Sequence, residues 1–259
     1  MVPPVAAPDE IVELHDALVA TPLDDVETLG RLAWRARALA AKRPRDYVTI
    51  MTTAKALALN GEHDQAAEYA RRAFDLRVVA SQGRDALAAL CLNLGLLEQA
   101  RIAAEEISAL PAYSSSKIAM DGGGAAAFLV GDVELLARTC TRASGLEAAF
   151  ISVHLLRVVA EHDLTAHLSK HMAILQQHVA PYSCQVAINV MDANEHGGKP
   201  SIYIQHRLAL ELRPCLNLFN EMSEALENYY LGAGREDMAY GDVIVHGFAP
   251  MPAFRVAAA

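Results

Sequence analysis

The sequence predicts a mostly α-helical chain: an α-solenoid of helical hairpins over residues 9–179, followed by a small C-terminal α+β unit over residues 181–259. Three observations carry that expectation. Self-similarity is the first, since GDVELLARTCTRA from Gly131 echoes DDVETLGRLAWRA from Asp24. Regular spacing is the second: the anchors Asp24, Gly61, Gly95 and Gly131 lie 37, 34 and 36 residues apart, and a looser anchor, His162, follows after 31. The third is a change of period after Pro181, from helical spacing to strict alternation.

Small or apolar residues stand five, nine and twelve places after the three glycine anchors. They are Ala66, Ala70 and Ala73 after Gly61, Ala100, Ala104 and Ile107 after Gly95, and Leu136, Cys140 and Ala143 after Gly131. These offsets fall along one face of a 3.6-residue helix, and small side chains there let a neighbouring helix come close. Each unit is therefore expected to be a helix–turn–helix hairpin.

The period, the turn glycine and the alanine at the fifth place after it resemble tetratricopeptide repeats. The closest copy is IMTTAKALALNGEHDQAAEYARRAFDL, residues 50–76, although Ile50, Ala54 and Leu57 stand where the family carries Trp, Gly and Tyr. The copy before Gly131 departs further, because Gly122, Gly123 and Gly124 fall inside its expected first helix. Glycine in a helix interior costs about 1 kcal/mol relative to alanine, which predicts a flexible connector and a helix beginning near Gly124. The resemblance covers residues 9–179 and implies a concave groove that binds a protein or peptide partner. Its groove positions are Lys55, Asp85, Asn93, Asp121 and Phe128, together with Gln82 and Ile118. Lys55 and Asn93 would clamp a peptide carboxylate, a role that Asp85 and Asp121 oppose by charge. Phe128 and Leu129 fit equally a surface on which the C-terminal unit docks.

After Pro181, Cys184, Val186, Ile188 and Val190 alternate with polar residues, and so do Ile202, Ile204, His206, Leu208 and Leu210. With the turn-rich ANEHGGKP between them, a β-hairpin over 184–210 is expected. Pro214 suits the first turn of a helix whose apolar stripe is Leu216, Phe219, Met222, Leu226 and Tyr230, ended by Gly232 and Gly234. A last strand over 242–248 would rejoin the sheet. Its edge would be covered by the solenoid or by a second copy of the chain, which makes a homo-oligomer one expectation.

The histidines suggest a second function. Five of the ten fall within 25 residues, and His167, His171 and His178 share one helical face at i, i+4 and i+11. With His154 from the facing helix they would form a site for a divalent transition metal, with His154, His167, His171 and His178 as ligands. No HExxH motif accompanies them, and histidine also fits a core when each nitrogen finds a hydrogen bond.

Composition narrows the classes. Of 259 residues, 53% are apolar, and 31 acidic against 22 basic residues give a net charge of -9, which repels nucleic acid and anionic membranes. There is no apolar run of membrane-spanning length and no CxxC pair among the four cysteines, so a cytoplasmic protein with ordinary thiols is expected. The leading expectation is a protein- or peptide-binding scaffold that uses its concave groove. The alternative is a metal-dependent enzyme whose histidine-rich site lies at the junction of solenoid and C-terminal unit.

Overall fold

The computed structural model describes residues 9–22, 24–76, 81–109, 121–140, 151–182, 184–191, 200–208, 210–239 and 243–250. They are mostly helical, with one small mixed sheet near the C-terminus. The helices are α1 (Asp9–Ala20), α2 (Val26–Lys42), α3 (Tyr47–Leu59), α4 (His63–Asp75), α5 (Ser81–Asn93), α6 (Leu97–Ala109), α7 (Asp121–Leu129), α8 (Val133–Cys140), α9 (Ile151–Glu161) and α10 (Leu168–Val179). There follow β1 (Cys184–Met191), β2 (Ser201–Leu208), α11 (Leu212–Gly232), the short α12 (Glu236–Ala239) and β3 (Ile244–Pro250). Among the described residues no helix is long and apolar enough to cross a membrane.

The chain forms two compact units, one holding α1–α4 and the other α5–β3. The division falls between α4 and α5, ahead of residue 180, where helices give way to strands.

In the first unit, α2 and α3 start on aspartate caps. The Asp25 carboxylate accepts the Thr28 N–H at 3.0 Å and the Asp46 carboxylate accepts the Thr49 N–H at 3.1 Å. Each satisfies a donor that the first helical turn leaves open. The small-residue frame is buried as expected: Leu29, Ala33 and Ala36 on α2, and Ala66, Ala70 and Ala73 on α4, are all inaccessible or nearly so. Arg37 of α2 pairs with Glu62 at the α3–α4 turn.

One turn geometry closes four consecutive hairpins, in both units. The N–H groups of Glu62, Leu96, Asp132 and Leu164 reach back five residues to the carbonyls of Leu57, Cys91, Ala127 and Val159, at 2.8–2.9 Å. The residue before each donor takes a positive φ, as this helix ending requires: Gly61 (83°), Gly95 (69°), Gly131 (74°) and Asp163 (52°). At the fourth turn the left-handed residue is thus Asp163, one place after the His162 anchor; aspartate tolerates that conformation better than most residues with a Cβ.

In the second unit, α5 packs on α6 and α7, and α7 on α6, α8 and α9. Here Gly122, Gly123 and Gly124 correct the expected flexible connector, for all three are helical. A Cβ at Gly122 would stand 2.3 Å from the Asp85 carbonyl of α5, one at Gly123 3.1 Å from Ile107 of α6, and one at Gly124 2.2 Å from Ser152 Cβ of α9. Three successive glycines face three different helices, so the propensity they sacrifice is offset by close packing on every side.

The sheet runs β1-β2-β3, with β1 and β2 antiparallel and β2 and β3 parallel. The expected hairpin is present, with Cys184 opposite Leu208 and Met191 opposite Ser201. Ile202, Ile204, His206 and Leu208 of β2 are buried, as their alternation predicts. β3 joins in parallel, and α11 makes the crossover that this pairing demands. The buried stripe of α11 begins with Cys215 and Leu218, not with Leu216, which is half exposed; from Met222 through Leu226 to Tyr230 it follows the expected register.

Candidate functional site

Two of the expected groove residues, Phe128 and Asp85, face the interior. Phe128 is fully buried in α7. Asp85 is buried too, and its carboxylate accepts the Gly123 N–H at 2.9 Å, fastening α5 to the first turn of α7. Lys55, half-buried on α3, belongs to the first unit, and burial pushes its ammonium pKa down; Asn93, exposed at the end of α5, belongs to the second. The side chains of Asp121 and Gln82, and the whole of Ile118, lie outside the described residues.

Of the four histidines expected to ligate a metal, three bond to groups other than one another. His178 Nδ1 lies 2.8 Å from the Ile174 carbonyl of its own helix, and His167 Nδ1 lies 2.9 Å from the Tyr229 hydroxyl. His154 is half-buried on α9. His171 alone of the four enters a histidine cluster, and its partners there are His246 and His206, from the strands. Among the described residues no group of three or more His, Cys, Asp or Glu side chains is arranged to hold a metal ion.

What the fold builds instead is a buried polar chain where α10, α11, β2 and β3 meet. His171 stands in α10 among the buried Leu168, Met172 and Leu175. Its Nδ1 is 2.8 Å from the Tyr230 hydroxyl of α11, and its Nε2 is 2.8 Å from His246 Nε2 of β3. His246 Nδ1 in turn lies 3.4 Å from His206 Nε2 of β2, a longer and weaker contact. The rings stack as they bond, with centroids 5.1 Å apart for His171 and His246 and 5.6 Å for His206 and His246. Phe248 closes the row against His206, and Phe219 packs on Phe248. The strand register accounts for the alignment, since His246 sits beside Ile204 and Phe248 beside His206.

Burial fixes the charge state of this chain. With His171, His206 and Tyr230 all 2% exposed or less, a charged imidazole would lose its hydration, so His171 is pushed down to about 3 and His206 to about 4. His246 falls well below its ordinary value, by burial first and by the two neighbouring imidazoles second. The Tyr230 phenol is pushed up, so it keeps its proton. One proton per neutral imidazole fits a relay running either way, and the acidity of the phenol selects the direction. A phenol is the better donor and an imidazole nitrogen the better acceptor, so Tyr230 donates to His171 Nδ1. A neutral imidazole holds one proton, hence His171 Nε2 donates to His246, and His246 Nδ1 donates to His206 Nε2. His246 spends both nitrogens on its neighbours, so the three rings form a line rather than converging on one point, as ligands of a single ion would.

Comparison of the chain with protein-family models, with curated proteins and with solved structures gives no match. What the site can do therefore rests on its own geometry.

One side of the chain opens on a cavity of about 330 Å³. Its walls are apolar: Phe219, Met222 and Leu226 from α11, Met238 from α12, and Ile244 from β3. The polar edge consists of His171, His246 and Tyr230, with Ser223 and Glu227 beside them on α11. Ser223, Glu227 and Tyr230 stand at i, i+4 and i+7, which brings a hydroxyl, a carboxylate and a phenol onto one helix face. Sequence reasoning missed His206, His246 and Tyr230. Their signal was a histidine within each apolar row of a strand, and a tyrosine ending an apolar stripe.

Proposed function

We propose that the C-terminal part of the second unit binds a small molecule in the cavity between α11 and β3. The observation that carries this reading is a concave apolar site with a few convergent polar groups and strongly perturbed histidines, the combination that marks ligand sites. The chain Tyr230–His171–His246–His206 serves as a rigid wall, neutral and with fixed donors and acceptors, so that a ligand meets one set of polar atoms rather than a fluctuating one. Ligand-observed NMR with a fragment set of mixed charge tests it. Fragments should bind the wild type, and Ser223→Leu, which extends an apolar side chain into the cavity, should displace them while leaving the circular dichroism spectrum intact. Fragment binding that survives in Ser223→Leu refutes the reading.

Protein recognition by tetratricopeptide-like hairpins remains a second reading. Four hairpin turns of one geometry support the repeat, and one surface feature favours a protein partner: Trp34 on α2 is 71% exposed and flanked by Arg31 and Arg35. An exposed tryptophan beside arginines is the composition of an interface hot spot. With any partner that co-purifies, Trp34→Ala should weaken binding at least tenfold while Arg71→Ala on α4 leaves it unchanged; equal effects dismiss this surface.

A further inference from the structure

We infer that the ligand of the C-terminal cavity is an amphipathic amine, a compact apolar body ending in one ammonium group. The inference rests on the small-molecule reading above and specifies the class of ligand.

The lining supplies acceptors and lacks a compensating cation. Among the described lining residues Glu227 carries the one formal charge, because Lys and Arg are missing from the wall and the imidazoles there stay neutral. An anionic ligand would meet the Glu227 carboxylate with nothing to balance it, and a bare apolar ligand would strip that carboxylate of water without a partner. The direction of the bonded chain points the same way. Tyr230 gives its proton to His171, so the lone pairs of its oxygen are what it has left to offer the cavity. Ser223 adds a hydroxyl oxygen one helical turn from Glu227. An ammonium brings three donors and no acceptor, which matches a carboxylate, a phenol oxygen and a hydroxyl oxygen on one face of α11. The body of such a ligand finds Phe219 and two methionines, Met222 and Met238, whose polarizable side chains adapt to an aromatic ring. At about 330 Å³ the site lies at the small end of ligand pockets and suits a single ring with a short arm.

The test compares three molecules of one shape: 2-phenylethylamine, 2-phenylethanol and 3-phenylpropanoate, titrated into the full chain by calorimetry near neutral pH. The amine should bind at least tenfold more tightly than the alcohol and than the acid. Glu227→Gln should remove that preference, leaving amine and alcohol within about threefold of each other, while Ser223→Leu weakens both. Alcohol or acid binding as tightly as the amine, or a preference that survives Glu227→Gln, overturns the amine assignment and leaves the cavity reading standing. Failure of all three to bind overturns the assignment as well; fragments of another class displaced by Ser223→Leu would then show that the cavity reading survives, and their absence that both have failed.

Discussion

Replacing Gly122 with alanine gives a sharp test of the packing around α7. In an exposed helix the change would stabilise by about 1 kcal/mol, because alanine forfeits less backbone entropy. Here the added Cβ would stand 2.3 Å from the Asp85 carbonyl oxygen, 3.0 Å from the Ala89 nitrogen and 3.1 Å from its Cβ. Two of those three atoms are backbone, so relief requires α5 and α7 to separate. Overpacking of this kind costs about 1–3 kcal/mol. Separation also stretches the 2.9 Å bond from the Gly123 N–H to the buried Asp85 carboxylate, a bond to a charged group and so a further cost of about 1.5–3 kcal/mol. After about 1 kcal/mol of regained propensity, the net loss is about 1.5–5 kcal/mol. Urea unfolding followed by far-ultraviolet circular dichroism measures it. The sole tryptophan, Trp34, lies in the first unit, so its fluorescence follows that unit while circular dichroism follows the whole chain. Gly232→Ala, where a Cβ meets nothing within 4 Å, serves as the control and should be neutral or mildly stabilising. A Gly122→Ala protein as stable as the wild type would refute the close approach of α5 and α7.

Three further outcomes follow from the same reasoning. The histidine chain is neutral when folded, whereas its members take up protons near pH 6.5 when unfolded, so stability should be full above that pH and fall as pH drops towards about 4; each of the three imidazoles contributes up to about 1.4 kcal/mol per pH unit, and a urea midpoint flat across this window would contradict their burial. Tyr230→Phe leaves His171 Nδ1 without its donor in a buried setting and should cost about 1–3 kcal/mol, measured by thermal unfolding at neutral pH. Ala66→Leu puts three more carbons at an inaccessible position on α4 and should cost about 1–3 kcal/mol, with an unchanged melting temperature counting against the small-residue frame.

Periodic information survived the passage from sequence to structure, and long-range pairing did not. Ala66, Ala70 and Ala73 could be read because helix geometry places them on one face whatever they touch. The alternation of Ile202, Ile204, His206 and Leu208 could be read for the same reason. The glycines at 122–124 were misjudged because propensity is a local quantity, whereas their purpose lies in Asp85, Ile107 and Ser152 on other helices. The histidine stripe misled in a similar way. His167 and His171 do face one direction, but what they face is Tyr229 and Tyr230, 62 and 59 residues further on, and His246, 75 residues from His171. Nothing in the spacing of residues along α10 encodes which side chains α11 and β3 will bring to it. Asp85 shows the converse error: a charged residue at a nominal groove position turned inwards, because an open N–H at the start of α7 supplied the donor that a buried carboxylate needs.

The parallel pairing of β3 with β2 has a consequence for synthesis. The two strands are separated by α11 and α12, and His246 is the link through which His171 and His206 are joined. On a ribosome, α10 and the β1–β2 hairpin emerge well before β3 does. Throughout that interval one long edge of β2 has no neighbour and two imidazoles lack the ring that connects them, a state in which strand edges are prone to pair with the wrong chain. Locking of the sheet, of the polar chain and of the cavity wall at Ile244 thus falls on a single late event, and the time this nascent unit spends vulnerable is set by how fast the segment between Leu208 and Ile244 is translated.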